Sequence, residues 1–372
     1  MTLRGYFDVM DYGAKGDGSN DLAALQSAVD AADAAGGGTV WLGPGRFWIG
    51  NGTLKIGQAN AQHHINLEGI NPNTTQILCD TSAGNAAIYL NLEKYVTINN
   101  FSIINEGARG GIGLQLGGDA GAGTQTNGNS VEHLFLQNFD KGVSTSGGLG
   151  TSSEITFDHC VFQGNNYGFH SANFNGLNYL FLMLEMYSNS IAGFHIEVGN
   201  ATVIGGASAN NKNDFYIAGG NDGQVKIIGF RGEQPTDAWL VAPSNSYLSV
   251  EDCIVHPRAN GAEVMRLAGD VYVRNCELLG YITWGGAAMT SLTLERVWVV
   301  TPGTDWSVGN QYSSATPPFG PGFRLTNNTG LQAEARARIF GVYEGSNNTV
   351  YPNGDYIQVV RPSDNMRCMV KV

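Results

Sequence analysis

The chain has 372 residues, of which 42% are hydrophobic, only 14% charged and 52 are glycine, and its net charge is −12. An acidic chain without a basic stripe does not suit nucleic-acid binding, and no stretch reaches the ~18 to 20 apolar residues of a membrane span. Five cysteines without a Cys-x-x-Cys pair argue against a disulfide framework or a structural zinc module.

The opening, Met1 to Asp8, lacks the apolar run of a signal peptide. Either a signal was removed or the protein leaves its cell by another route, such as lysis. Residues 8 to 21 then read Asp-Val-Met-Asp-Tyr-Gly-Ala-Lys-Gly-Asp-Gly-Ser-Asn-Asp. A helix is predicted next, with Leu22, Leu25, Val29 and Ala32 on one face and Asn20 or Asp21 as its N-cap. Residues 36 to 49 follow as Gly-Gly-Gly-Thr-Val-Trp-Leu-Gly-Pro-Gly-Arg-Phe-Trp-Ile. An amphipathic helix here would cover the open end of a stack of strands, whose free edges otherwise invite aggregation.

This stretch of about 45 residues closely resembles the opening of the pectate-lyase-like superfamily, in the branch of rhamnogalacturonase- or epimerase-like proteins, alginate epimerases and phage tailspikes and depolymerases. The resemblance implies an all-β, single-stranded right-handed parallel β-helix with an N-terminal capping α-helix. It implies a polysaccharide partner, although the branch mixes hydrolases, lyases, epimerases and proteins that only bind glycans. The polygalacturonase signatures Asn-Thr-Asp, Asp-Asp, Gly-His-Gly and Arg-Ile-Lys have no match. The Asp-Pro-His-Glu of alginate epimerases is also missing; Tyr167-Gly-Phe-His-Ser keeps the aromatic residue and the His but loses both acids. Those two activities are demoted.

Further along, the apolar anchors Val96 to Phe101 and Val131 to Leu136 are 35 residues apart, and the excess falls in the Gly-rich stretch 107–130, read as a surface loop. From residue 155 a unit of about 23 residues recurs, with apolar residues at its first, third and sixth positions. Ile155-Phe157-Cys160, Val225-Ile227-Phe230, Leu248-Val250-Cys253 and Val271-Val273-Cys276 are examples, and Leu177-Tyr179-Leu182 is assigned to the second slot. Two-residue alternation with Asn, Gly and Asp between the runs predicts two or three short strands per coil, paired from coil to coil. The three repeat cysteines are read as free thiols in a core stack.

Residues at fixed offsets then form outward rows with ~4.8 Å between coils. One row is read as Gln163, Glu185, Ala209, Glu233, His256, with Arg231 in the row beside it. Glu185 and Glu233, two coils apart, would be the catalytic pair of a glycoside hydrolase, close to the ~6.5–9.5 Å of an inverting enzyme. His256 would assist and Arg231 would bind a carboxylate. A second row reads His170, His195, Tyr216, Leu240, Arg266, with Glu197 beside His195. Its His, Tyr and Arg side chains are expected to bind substrate, or to serve lyase chemistry on a uronic acid.

No metal is assigned. Calcium is the one cofactor that stays open, its candidates Asp214, Asp222 and Asp237 being scattered through turns. The expected organisation is a cap over 1–50, the β-helix over 51–300 and a carboxy-terminal cap or oligomerisation element over 301–372. The expected function is cleavage of an extended polysaccharide, by hydrolysis or β-elimination, by an extracellular or virion-associated protein. The alternative is a non-catalytic glycan-binding spike of a phage or similar particle. A homotrimer is expected.

Overall fold

The computed structural model describes residues 5–57, 63–90, 94–117, 125–145, 151–218, 224–243, 246–258, 262–284, 291–295 and 297–299, with short strands at 324–326, 349–350, 356–360 and 367–371. It is a parallel β-solenoid of about nine turns with one α-helix. A typical coil carries three strands, such as Thr156–Asp158, Val161–Gln163 and Tyr167–Ser171. Each pairs in register with its equivalents one coil away, so three ladders run the length of the stack. The third ladder alone joins ten strands, from Leu54–Ile56 to Tyr281–Trp284.

The corner between the first and second ladders explains how a coil closes. Asn100, His133, His159, Met183, Asp252 and Asn275 stand there with φ between 49° and 62°, and Gly205 and Gly229 take the same place with φ of 67° and 64°. The left-handed residue at this corner of each coil reverses the inward–outward alternation, which is why the first, third and sixth positions all reach the core. Ile155, Phe157, Cys160, Val225, Ile227 and Phe230 are accordingly buried. Aromatic rings stack along the same interior: Phe157 lies 4.6 Å from Phe181, and Phe169 lies 5.1 Å from Phe194. Cys79, Cys160, Cys253 and Cys276 are buried free thiols. Burial pushes the Cys160 thiol up to about 12.

The assignment of Leu177-Tyr179-Leu182 is corrected. Tyr179, Phe181 and Leu184 fill the anchor positions, while Leu177 is 41% exposed. Leu180 to Leu182 pair with Thr156 to Asp158, which fixes the shift at two residues. Upstream, Val131 pairs with Ile98, so Asn129 takes the first anchor slot, where its Oδ1 accepts a hydrogen bond from Val96 N. Within the stretch read as a loop, Ile112–Leu116 belongs to the third ladder and Gln125–Asn127 pairs with Thr151–Ser153.

Asn165, Asn189 and Asn211 form a buried polar ladder just after the second strands. Phe139 N donates to Asn165 Oδ1 (2.9 Å), Asn165 N to Asn189 Oδ1 (3.0 Å) and Asn189 N to Asn211 Oδ1 (2.8 Å). Their amide nitrogens reach back to the carbonyls of Leu136, Phe162 and Met186. Each turn's backbone groups, cut off from the strand ladders, are satisfied in this way.

The helix Leu22–Ala34 buries Leu25, Ala28, Val29 and Ala32 against the first coils. Asn20 Oδ1 accepts from Leu22 N, and the Asp21 carboxylate instead accepts from Lys15 N and Gly16 N. The first 50 residues also contribute strands to the solenoid, beginning with Tyr6–Asp8 against Gly37–Trp41. Towards the carboxy terminus Arg324–Thr326 extends the first ladder. Thr349–Val350, Tyr356–Val360 and Arg367–Lys371 make an antiparallel sheet, and most of 301–372 lies outside the described residues.

Candidate functional site

The second ladder carries the carboxylates read as a catalytic pair, and its register separates them. Tyr187, not Glu185, pairs with Ala209 and so stands in the row of Gln163, Ala209, Glu233 and His256. Glu185 belongs to the adjacent row with Ala207, Arg231, Ile254 and Glu277. Two coils plus two residues put the Glu185 and Glu233 positions roughly 11–12 Å apart, beyond the ~6.5–9.5 Å of an inverting pair. The cause is the two-residue shift of the second anchor.

These groups are engaged with one another. Arg231 Nε donates to Glu233 Oε1 at 2.6 Å, both side chains about half exposed. Tyr187 Oη donates to Glu185 Oε2 at 2.9 Å. Burial first, then Glu185 and more distant Glu233, push the Tyr187 hydroxyl up to about 12. His256 Nε2 lies 3.8 Å from Glu277 Oε1, too far for a hydrogen bond. Exposed pairs such as Arg231–Glu233 contribute about 0–1 kcal/mol.

On the third ladder the residues are drawn together. His170 pairs with His195 and His195 with Tyr216, one coil apart each. The row continues through Val241, not Leu240, to Arg266. Leu240 instead pairs with Phe215 inside the core, one residue before the outward position.

A glycine row positions the rings. Gly142, Gly168 and Gly193 point inward, and a Cβ on Gly168 would lie 2.4 Å from the Gly193 carbonyl oxygen. Gly168 and Phe169 both face the core, so Tyr167 and His170 emerge side by side on the outer face. Tyr167 lies 5.0 Å from His170 and 5.1 Å from His195, centroid to centroid. His170 and His195 meet edge-on at 4.9 Å, and His195 and Tyr216 at 4.8 Å. Tyr167 is a fifth member of this group, alongside His170, His195, Tyr216 and Glu197. Its signal was present in sequence as the repeated Tyr-Gly-Phe-His and Ala-Gly-Phe-His.

His170 is 5% exposed and its Nε2 meets Glu197 Oε1 at 3.1 Å. His170 Nδ1 and both ring nitrogens of His195 are buried without a hydrogen-bond partner among the described residues. Burial lowers both imidazoles to about 4, helped at His170 by Lys141 and at His195 by His170. Both rings are uncharged at neutral pH. Burial, then Asp140, raises the Tyr167 hydroxyl.

Arg266 does not join them. It is two coils beyond Tyr216 and is held by Glu263 and by Asp237 Oδ1. The calcium candidates also disperse: Asp214 is buried in the core, Asp237 pairs with Arg266, and Asp222 lies outside the described residues.

No protein-family model matches the chain. Mannuronan C5-epimerase AlgE3 of Azotobacter vinelandii is 68% identical over 37 residues, which are 10% of this chain and 2% of that protein. Among solved structures, the A-module of mannuronan C-5 epimerase AlgE6 from the same organism aligns with a TM-score of 0.51 at 16% identity, over 87% of this chain and 98% of that one. An Acinetobacter phage tailspike aligns with 0.53 at 13%, over 85% and 68%. Endo-xylogalacturonan hydrolase of Aspergillus tubingensis aligns with 0.52 at 12%, over 87% and 92%. The chain is thus a parallel β-solenoid whose structural neighbours are right-handed β-helix proteins of the pectate-lyase-like kind.

Proposed function

We propose that this protein is a carbohydrate-active enzyme that acts on an extended, uronate-bearing polysaccharide lying along the third ladder, and cleaves it by β-elimination. The observation that carries this is the outward group of Tyr167, His170, His195 and Tyr216, four rings within 5.1 Å of a neighbour. In this reading the uncharged imidazoles lie beneath the uronate, between the two tyrosines. Tyr216, acting as its phenolate, takes the C5 proton and becomes the neutral phenol, electrons move into a C4–C5 double bond as the C4–O bond breaks, and Tyr167 gives its hydroxyl proton to the leaving oxygen. The solenoid is right-handed, the helix Leu22–Ala34 caps its amino-terminal end, and the protein works outside the cell or on a virion, as a homotrimer. No helix among the described residues is long and apolar enough to cross a membrane.

Incubation with a panel of polysaccharides tests this, following reducing ends together with the ultraviolet absorbance of unsaturated uronates. Both signals are expected to rise. Reducing ends alone would mean hydrolysis and would return attention to Glu233. Likeness to a tailspike supports a second reading, a glycan-binding spike that uses the same rings as a stacking surface. Binding without either signal across a wide panel would establish that reading instead.

A further inference from the structure

We propose that His170, His195 and Glu197 form a binding site for a divalent transition-metal ion of the zinc class. One ligand atom from each of the three lies within 4.8 Å of the others. The two imidazoles come from equivalent positions on adjacent coils, and Glu197 follows His195 by two residues. Glu197 therefore emerges on the same face as His195, and an ion held here staples two turns together.

The unpaired nitrogens point the same way. His170 Nδ1, His195 Nδ1 and His195 Nε2 are three buried polar atoms without a hydrogen-bond partner among the described residues, and a buried polar atom left unpaired is destabilising unless something binds it. A single ion accepts one nitrogen from each ring.

The donor set selects the ion. Two imidazoles and one carboxylate suit zinc, nickel, cobalt or ferrous iron, whereas calcium and magnesium take oxygen ligands. Glu197 is 47% exposed at its side chain, so the site opens to solvent on that side. Three protein ligands with an open fourth position are the pattern of a reactive rather than a purely structural zinc site.

This site deepens the function proposed above, and its role in the reaction rests on that reading. A uronate carboxylate must be neutralised before its C5 proton can leave, and Arg266 is already held by Glu263 and Asp237. A cation on His170, His195 and Glu197 would stand between Tyr167 and Tyr216 and take over that task, leaving proton transfer to the tyrosines.

The test uses the full chain, stripped with a chelator and titrated with zinc, cobalt or calcium by calorimetry and by the visible absorption of bound cobalt. One zinc or cobalt ion per chain is expected, with a rise in the thermal midpoint that grows with ion concentration. His195→Ala is expected to abolish binding, and Glu197→Gln, at the exposed rim where folding is not at risk, to weaken it by roughly tenfold or more. Zinc or cobalt binding that is absent, or unchanged in both variants, would overturn the site, as would tighter binding of calcium. Loss of the site with polysaccharide cleavage retained would leave the proposed enzyme standing. Specific binding without cleavage of any polymer would support the metal site and remove the enzyme.

Discussion

Replacing Asp214 by Asn is expected to flatten part of the pH dependence of stability and to stabilise the protein above neutral pH. Asp214 follows Gly142, Gly168 and Gly193 in the row that points into the core: Asn213-Asp-Phe-Tyr repeats the Ala-Gly-Phe-His of the coil before. Its carboxyl is fully buried, accepting from Ser208 Oγ at 2.6 Å and Asn211 Nδ2 at 2.7 Å. Burial raises it to about 7, against the partial opposition of those two hydrogen bonds. In the unfolded chain the same group titrates near ~3.9.

The folded state thus binds the extra proton between these values. Its stabilising contribution is complete below pH ~4 and declines as pH rises through about 7. A shift of this size corresponds to at most about 4 kcal/mol. Thermal or urea unfolding of Asp214→Asn and the parent chain from pH 4 to 8 measures the difference, in which all other titrating groups cancel. Parallel curves for the two proteins would rule out a buried carboxyl that titrates near neutrality.

The second large effect is expected at the asparagine ladder. Asn189→Ala removes the acceptor for Asn165 N and the donor to the Phe162 carbonyl, both buried. Two backbone groups stranded away from water cost roughly 3–5 kcal/mol together. Ser190→Ala, at the next and exposed residue, is expected to change stability by no more than about 0.5 kcal/mol. Equal urea midpoints for the two variants would show that the ladder contributes nothing beyond surface contacts.

The solenoid was legible because its coil length and its apolar first, third and sixth positions repeat over many turns, and each wrong residue is outvoted. Register failed where the local pattern was degenerate. From Leu177 to Leu184 nearly every residue is apolar, so Leu177-Tyr179-Leu182 and Tyr179-Phe181-Leu184 fit the anchor equally, and a two-residue choice carried Glu185 into the wrong row. Asn129 hid an anchor for the opposite reason, being a polar residue paid for by a backbone hydrogen bond.

Asn165, Asn189 and Asn211 recur 24 and 22 residues apart, the same steps as the corrected anchors Ile155, Tyr179 and Ala201. That periodicity was visible, but polar repeats in turns are ordinarily read as solvated. The row of His170, His195 and Tyr216 was legible from equivalent positions alone. What sequence could not supply was the burial of its nitrogens and the approach of Tyr167, both consequences of the inward glycines beneath them.

The most direct test compares Tyr216→Phe with Glu233→Gln on a polysaccharide that the parent chain cleaves, after unfolding measurements have established that both variants are folded. Tyr216→Phe is expected to lower turnover by roughly 100-fold or more, and Glu233→Gln to leave it within a few-fold of the parent. Full activity in Tyr216→Phe with loss in Glu233→Gln would contradict a reacting centre on the third ladder and locate the chemistry on the second.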